Sequence, residues 1–235
     1  MDRAPQSTPA LWALRLVPFL LVWIFHVHLS EVLVQAGPVP EGADIVPLPR
    51  LSLVWYDPDG LLKRSYGPMK TEVEGIFDDI GVTIDWLSGR QLSAHRLLSS
   101  DPLRANVVLL PVEARAWNLG ESVMGATMGA PGKKPGVYVF FPNVARSLGL
   151  NLAARALEKP RAMNELARAV ARVVAHEIVH FLAPGHPHRA EGLMGRRLTR
   201  SLLLRRRVGL DGVSARALVA ALRVKSKGKE LLLAS

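Results

Sequence analysis

The chain contains no cysteine. Disulfide cross-links and thiolate metal sites are therefore both excluded, and any metal must be held by histidine, aspartate or glutamate. The absence leaves an extracytoplasmic address open without requiring one. Aromatic residues are few, 6% of the sequence, and none falls among the basic residues that crowd the carboxyl-terminal end. Acidic residues are scarce there too: the eleven Lys and Arg residues after Gly195 face only Asp211 and Glu230. That excess makes up most of the net charge of +10, but it lacks the stacking platforms that bases need, so no nucleic-acid partner is expected. A solvated basic face is the plainer reading.

A long uninterrupted apolar run is also missing. Residues Leu11 to Leu29 are apolar for most of their length, but Arg15 interrupts them and His26 and His28 dilute the far end. The clean core, Leu16 to Phe25, is too short to cross a bilayer as it stands. Val34-Gln35-Ala36 offers a small-residue cleavage site, so residues 1–36 read as a signal peptide. The alternative is an uncleaved membrane anchor over residues 11–34, at the cost of burying two neutral imidazoles. Either reading places the bulk of the chain outside the cytoplasm, secreted, periplasmic or tethered. Residues 37–50, which include "GPVPEGADIVPLP", have no period that could bury a face and read as a linker. What remains, residues 51–235, is enough for one well-filled domain.

Within that domain "LSLVWYD" (Leu51 to Asp57) is rich in strand formers and ends at the turn residues Pro58-Asp59-Gly60. Val73, Ile76 and Phe77 recur at helical spacing between Met69 and Asp79. "VTIDWL" (Val82 to Leu87) alternates as a strand does, and "NVVLLPV" (Asn106 to Val112) is a continuous apolar run, as expected of a strand covered on both faces. "SVMGATMG" (Ser122 to Gly129) and "GVYVFF" (Gly136 to Phe141) flank a Pro/Gly/Lys turn and read as neighbouring strands. The first, with its two glycines, is a candidate sheet edge. The expected architecture is a mixed sheet with at least one helical crossover. From Arg161, after Pro160, the positions Leu166, Val170, Val173, Val174, Ile178 and Phe181 define a long helix.

The last turns of that helix lead into "AHEIVHFLAPGHPHRAEGLMG" (Ala175 to Gly195), which holds four of the seven histidines. His176 and His180 are four apart, so a helix stacks their imidazoles on one face, where both can hold one ion. Zinc suits that pair. Glu177 is rotated off the ligand axis, where its carboxylate reaches a water on the ion rather than the ion itself, the arrangement of a general base in peptide hydrolysis. Two histidines in a satisfied surface helix would be the bland alternative, but a third histidine after a helix-ending signal, and then a methionine, argue against it.

His176-Glu177-x-x-His180, a glycine, a further histidine and Gly192-Leu193-Met194 resemble the metzincin clan of zinc peptidases, whose signature is His-Glu-x-x-His-x-x-Gly-x-x-His with a later Met-turn. The chain departs from it in carrying Ala183 where the clan has glycine. His186 has the clan's usual distance from His176; His188 lies three residues after Gly185. A left-handed glycine must end the helix and turn the chain back, and Gly185 takes that role better than Ala183, which precedes Pro184. The turn argument favours His188 as third ligand, with His186 as the alternative. The folded part is also similar to a group of small acidobacterial zincin-like proteins, whose third histidine, measured back from the methionine, falls on His188.

The resemblance, loose outside the zinc motif, implies an α+β fold. Its parts would be a mixed, mostly parallel sheet with an antiparallel edge strand, an active-site helix at about 161–183, a Met-turn at about 192–195 with Met194 beneath the metal, and a small helical carboxyl-terminal subdomain. It implies one zinc ion, a zinc-dependent endopeptidase with Glu177 as general base, and a peptide or protein substrate lying along the sheet edge at Gly125, Ala126 and Thr127. Arg196 stands where some clan members carry a tyrosine. Lys133 and Lys134 beside that edge would guard it against aggregation or greet acidic substrates, and the isolated His95 is read as an ordinary core or surface histidine. Two other functions fit the sequence: a zincin-fold binding module without catalysis, and a basic envelope protein whose helix from Ser214, "SARALVAALRVKSK", lies on anionic surfaces.

Overall fold

A computed structural model of the chain describes residues 50–88, 101–129, 135–152 and 159–234, with side chains described to residue 229. The expectations for residues 1–49, for His95 and for Lys133 and Lys134 lie outside the described residues. Among the described residues no helix is long and apolar enough to cross a membrane.

The described part is a mixed α/β fold built on one five-stranded sheet in the order β2-β1-β3-β5-β4. β1 (Leu51–Tyr56) leads through α1 (Tyr66–Asp78) to β2 (Ile84–Ser88), which lies parallel to it. The β1–α1 connection is tied by the Asp57 carboxylate, which accepts from the main-chain N–H of Leu61 at 2.8 Å and of Leu62 at 2.9 Å. α1 turns Met69, Val73, Ile76 and Phe77 into the core, the face that the sequence period marks. β3 (Arg104–Leu110) and β5 (Gly136–Phe140) extend the parallel part of the sheet, and β4 (Gly125–Met128) pairs antiparallel with β5 at its end.

β3 corrects one sequence expectation. Its apolar run suggests cover on both faces, but burial alternates: Ala105, Val107 and Leu109 are buried, while Asn106, Val108 and Leu110 are only partly covered. Side chains in a strand alternate between faces, so continuous hydrophobicity does not by itself require two covered faces.

β5 passes directly into α2 (Phe141–Ser147), and the long α3 (Pro160–Leu182) then crosses under β4 and β5 and against α1. Pro160 sits at the start of α3, where its fixed φ suits a first helical turn and its missing N–H costs nothing. The helix is 23 residues long, about 34 Å at 1.5 Å per residue. From Leu166 onward all but Arg168 and His180 are buried, so the second half is a core helix that meets solvent only where His180 borders the cleft. α4 (Arg200–Leu204) and α5 (Gly212–Ala234) follow, both packed against α3.

A fully buried arginine fastens α3 to what surrounds it. Arg172 pairs with Glu72 on α1 at 2.6 Å, and its guanidinium also donates to the main-chain oxygens of Leu202, Leu203 and Arg205 at 2.7 to 2.9 Å. Those three carbonyls lie at the end of α4 and just after it, where Leu202 O also accepts from Arg205 N–H at 3.2 Å and the buried guanidinium serves the others. Arg172 lies one turn before His176, so the same anchor fixes the helix where the histidines begin.

Candidate metal centre and its cleft

The three ring systems of His176, His180 and His188 form a nearly equilateral cluster, with centroids 4.9, 5.2 and 4.8 Å apart. One nitrogen of each lies within 4.8 Å of the others. The first two come from consecutive turns of α3, as their spacing requires. The third arrives by the turn after the helix. Ala183 leaves helical geometry with φ −122° and ψ 69°, and Gly185 follows with φ 98°, a conformation that a side chain resists. The left-handed residue is thus Gly185 rather than Ala183, and the chain folds back so that His188 meets the pair.

His186 goes elsewhere. Its Nε2 lies 3.0 Å from the Ser214 hydroxyl, which itself donates to Asp211 at 2.7 Å. Asp211 accepts from the N–H groups of Val213 and Ser214 and thereby caps the start of α5. His186 therefore ties the returning loop to α5, while His188 faces the other two imidazoles.

The donor set fits a zinc ion. The Nε2 atoms of His180 and His188 are 3.2 Å apart. Two nitrogens bound to one tetrahedral zinc at about 2.05 Å stand about 3.3 Å from each other, so the observed gap matches a shared ion. His176 Nδ1 lies 2.7 Å from the main-chain oxygen of Leu193. A carbonyl only accepts, so Nδ1 carries the proton and the Nε2 lone pair is left for a metal. Burial holds His176 down at about 4, aided by the neighbouring His180 and His188 and opposed by the bond to Leu193; burial, then His188 and His186, also lowers His180. Neutral imidazoles are the form that ligates.

The segment that supplies Leu193 is pinned on both sides. Arg189 N–H donates to Met194 O at 2.7 Å, Arg196 N–H returns to Arg189 O at 3.3 Å, and Gly192 adopts φ 80°. Met194, directly after the carbonyl that orients His176, is fully buried in the main core.

Glu177 is buried to 7% exposure beside the cluster. Thr127 on β4 donates to it, with Oγ1 2.9 Å from the main-chain oxygen and 3.2 Å from Oε2. Desolvation pushes the carboxyl up to about 7, against the hydrogen bonds from Thr127 that lower it. Gly125, two residues earlier on the same strand face, lets the strand lie against α3: a Cβ there would stand 2.6 Å from Val173 Cγ1 and 2.8 Å from Glu177 Cγ. Gly125 and Thr127 thus both face the helix, while β5 is the one strand partner of β4 among the described residues.

Sequence reading missed Thr127's bond to Glu177, Leu193's carbonyl and Asn143. The buried Asn143 on α2 donates to Glu121 O and Val123 O at 2.9 and 2.8 Å and accepts from Ala114 N–H, which sets the approach to β4. A lone asparagine in a helix gives no signal of such a role. Thr127 and Asn143, with Glu177 and the three clustered histidines, border a cleft of about 870 Å³, walled by residues before and in β4, by α2, by α3 and by the segment after Met194.

Fold and site together define a mixed α/β protein with a three-histidine cluster and a buried glutamate at one cleft. No protein-family model matches the chain, and no curated protein does. Among solved structures, archaemetzincin from Methanopyrus kandleri is similar with a TM-score of 0.42 and 15% identity, over 77% of this chain and 99% of that one. At that degree of likeness the functional reading stands on the side chains of the site.

Proposed function

We propose that the protein is a zinc-dependent endopeptidase of the metzincin kind. The observation that carries this reading is the convergence of His176, His180 and His188 beside the carboxyl of Glu177 at one open cleft. His176, His180 and His188 are the residues that would hold the ion. Zinc bound there supplies Lewis-acid polarisation of a scissile carbonyl and an acidified water.

The chain's own residues do the rest. Leu193 O fixes the tautomer and orientation of His176, and Met194 forms the apolar support under the loop that carries that carbonyl. Glu177 accepts a proton from the attacking water at its carboxyl and returns it to the leaving nitrogen. Thr127 holds that carboxyl in place from the strand side. Gly125, Ala126 and Thr127 lie on the end strand, where an extended peptide would add to the sheet through main-chain hydrogen bonds.

The test is proteolysis of unfolded protein substrates by the zinc-loaded full chain and by its Glu177→Ala variant. The reading requires cleavage that falls by two or more orders of magnitude, roughly the contribution of a general base, in a variant that still binds zinc. Equal rates in the two proteins would end the peptidase reading. Zinc uptake with no cleavage by either would instead favour a binding module.

A further inference from the structure

The two walls of the cleft that face the metal cluster are unequally charged. Arg146 from α2 and Arg196, Arg197 and Arg200 from the segment after Met194 all border it, against Glu121 and the buried Glu177. Arg146 is engaged by Glu113, and Arg200 Nε donates to Leu148 O at 3.0 Å. The guanidiniums of Arg196 and Arg197 have no ion-pair or hydrogen-bond partner among the described residues. Both residues are exposed, yet their position is constrained. Arg196 N–H is bonded to Arg189 O, and Gly195 and Leu198 on either side of the pair are buried.

A guanidinium fork with unused donors, on a pinned main chain and inside a concave surface, is suited to a carboxylate. Low-dielectric walls focus the field of several like charges into such a cleft. We infer that Arg196 and Arg197 form a carboxylate-recognising subsite, so that the cleft selects peptides with an acidic group near the bond to be cut. The inference rests on the reading of this cleft as a peptide site. The carboxylate has two possible sources, an Asp or Glu side chain or a free peptide carboxyl terminus.

Binding, rather than turnover, is the test. Fluorescence anisotropy on the zinc-loaded full chain carrying Glu177→Gln compares labelled peptides of equal length: neutral and amidated, neutral with a free carboxyl terminus, glutamate-containing and amidated, and lysine-containing and amidated. The glutamate peptide is expected to bind roughly tenfold tighter than the neutral amide, the sum of two exposed charge contacts, with the advantage shrinking at high salt. If only the free carboxyl terminus confers the gain, the source is the terminus.

The net charge of +10 attracts any acidic peptide, so two charge reversals are compared. Arg196→Glu with Arg197→Glu is expected to invert the preference toward the lysine peptide. Arg223→Glu with Lys227→Glu, on α5 outside the cleft lining, is expected to leave it at least fivefold, roughly half of the starting advantage. Circular dichroism and zinc content identify any variant that fails to fold, and Arg196→Gln with Arg197→Gln then serves, with loss of the preference expected. Affinity independent of peptide charge, or a preference lost equally in both reversals, overturns the proposal. A wild type that binds acidic peptides selectively but cleaves nothing removes the peptidase reading and leaves the carboxylate subsite; cleavage without charge preference does the reverse.

Discussion

The hydroxyl of Thr127 reaches both the main-chain oxygen and the carboxylate of Glu177, at 2.9 and 3.2 Å, so the end strand of the sheet holds the acidic residue of the helix beneath it. One hydroxyl hydrogen serves two acceptors, and its effect on the carboxylate is correspondingly partial. Thr127→Val keeps the shape and removes the donor. In chelator-treated protein it should raise the Glu177 carboxyl by about half a unit to one unit, read by carbon-13 titration of the side chain. An unchanged or lowered value would show that the hydroxyl does not bond the carboxylate.

Burial makes opposite demands on the two buried titratable groups of the site. Glu177 is raised from 4.5 to about 7, so the stability it retains is complete below its unfolded value and is lost as pH rises through 7. His176 is lowered from 6.5 to about 4, so its contribution is complete above 6.5 and is lost as pH falls through 4. In chelator-treated protein Glu177→Gln removes the first demand alone. Relative to wild type it should gain about 2 kcal/mol in unfolding free energy between pH 5 and pH 8, measured by denaturant titration. A constant difference between the two proteins across that range would contradict this account.

Gly125→Ala places a Cβ 2.6 Å from Val173 and 2.8 Å from Glu177. Overpacking of that kind costs about 1 to 3 kcal/mol, and relief by moving Glu177 displaces the proposed base. Thermal denaturation should show the destabilisation, and cleavage should fall at least tenfold with zinc content unchanged. Wild-type stability together with wild-type cleavage would mean that strand and helix do not lie this close.

Arg172 predicts an unusual double-mutant result. Removing it alone, as Arg172→Ala, strands Glu72 and should cost about 3 to 5 kcal/mol. Replacing the ion pair by apolar residues is often neutral, but here the carbonyls of Leu203 and Arg205 also lose their bond to the guanidinium, and Leu202 O keeps only Arg205 N–H. Arg172→Met with Glu72→Leu should therefore remain at least about 2 kcal/mol less stable than wild type. A double variant as stable as wild type would show that those carbonyls find other donors.

Much of this arrangement is legible in the sequence, because it depends on period and on turn chemistry. The spacing of Leu166, Val170, Val173 and Val174 marks α3, and the glycine after Pro184 marks the fold-back that brings His188 to the pair. β4 is readable as a sheet end from its glycines. Contacts made by main-chain atoms are not: nothing in the residue Leu193 says that its carbonyl will orient His176, and Arg172 reads as one more charge on an amphipathic helix until α4 ends against it. The face of Thr127 could be guessed from strand alternation, but its partner depends on how β4 lies across α3.

In the proposed function His176, His180 and His188 together hold one zinc ion, while His186 serves the loop. Zinc bound per chain, measured by mass spectrometry after dialysis against buffered metal, tests it in wild type, His186→Ala and His188→Ala. About one zinc is expected in wild type and in His186→Ala, with affinity reduced tenfold or more in His188→Ala. A metal-free wild type, or loss of zinc on replacing His186 and not His188, would contradict it.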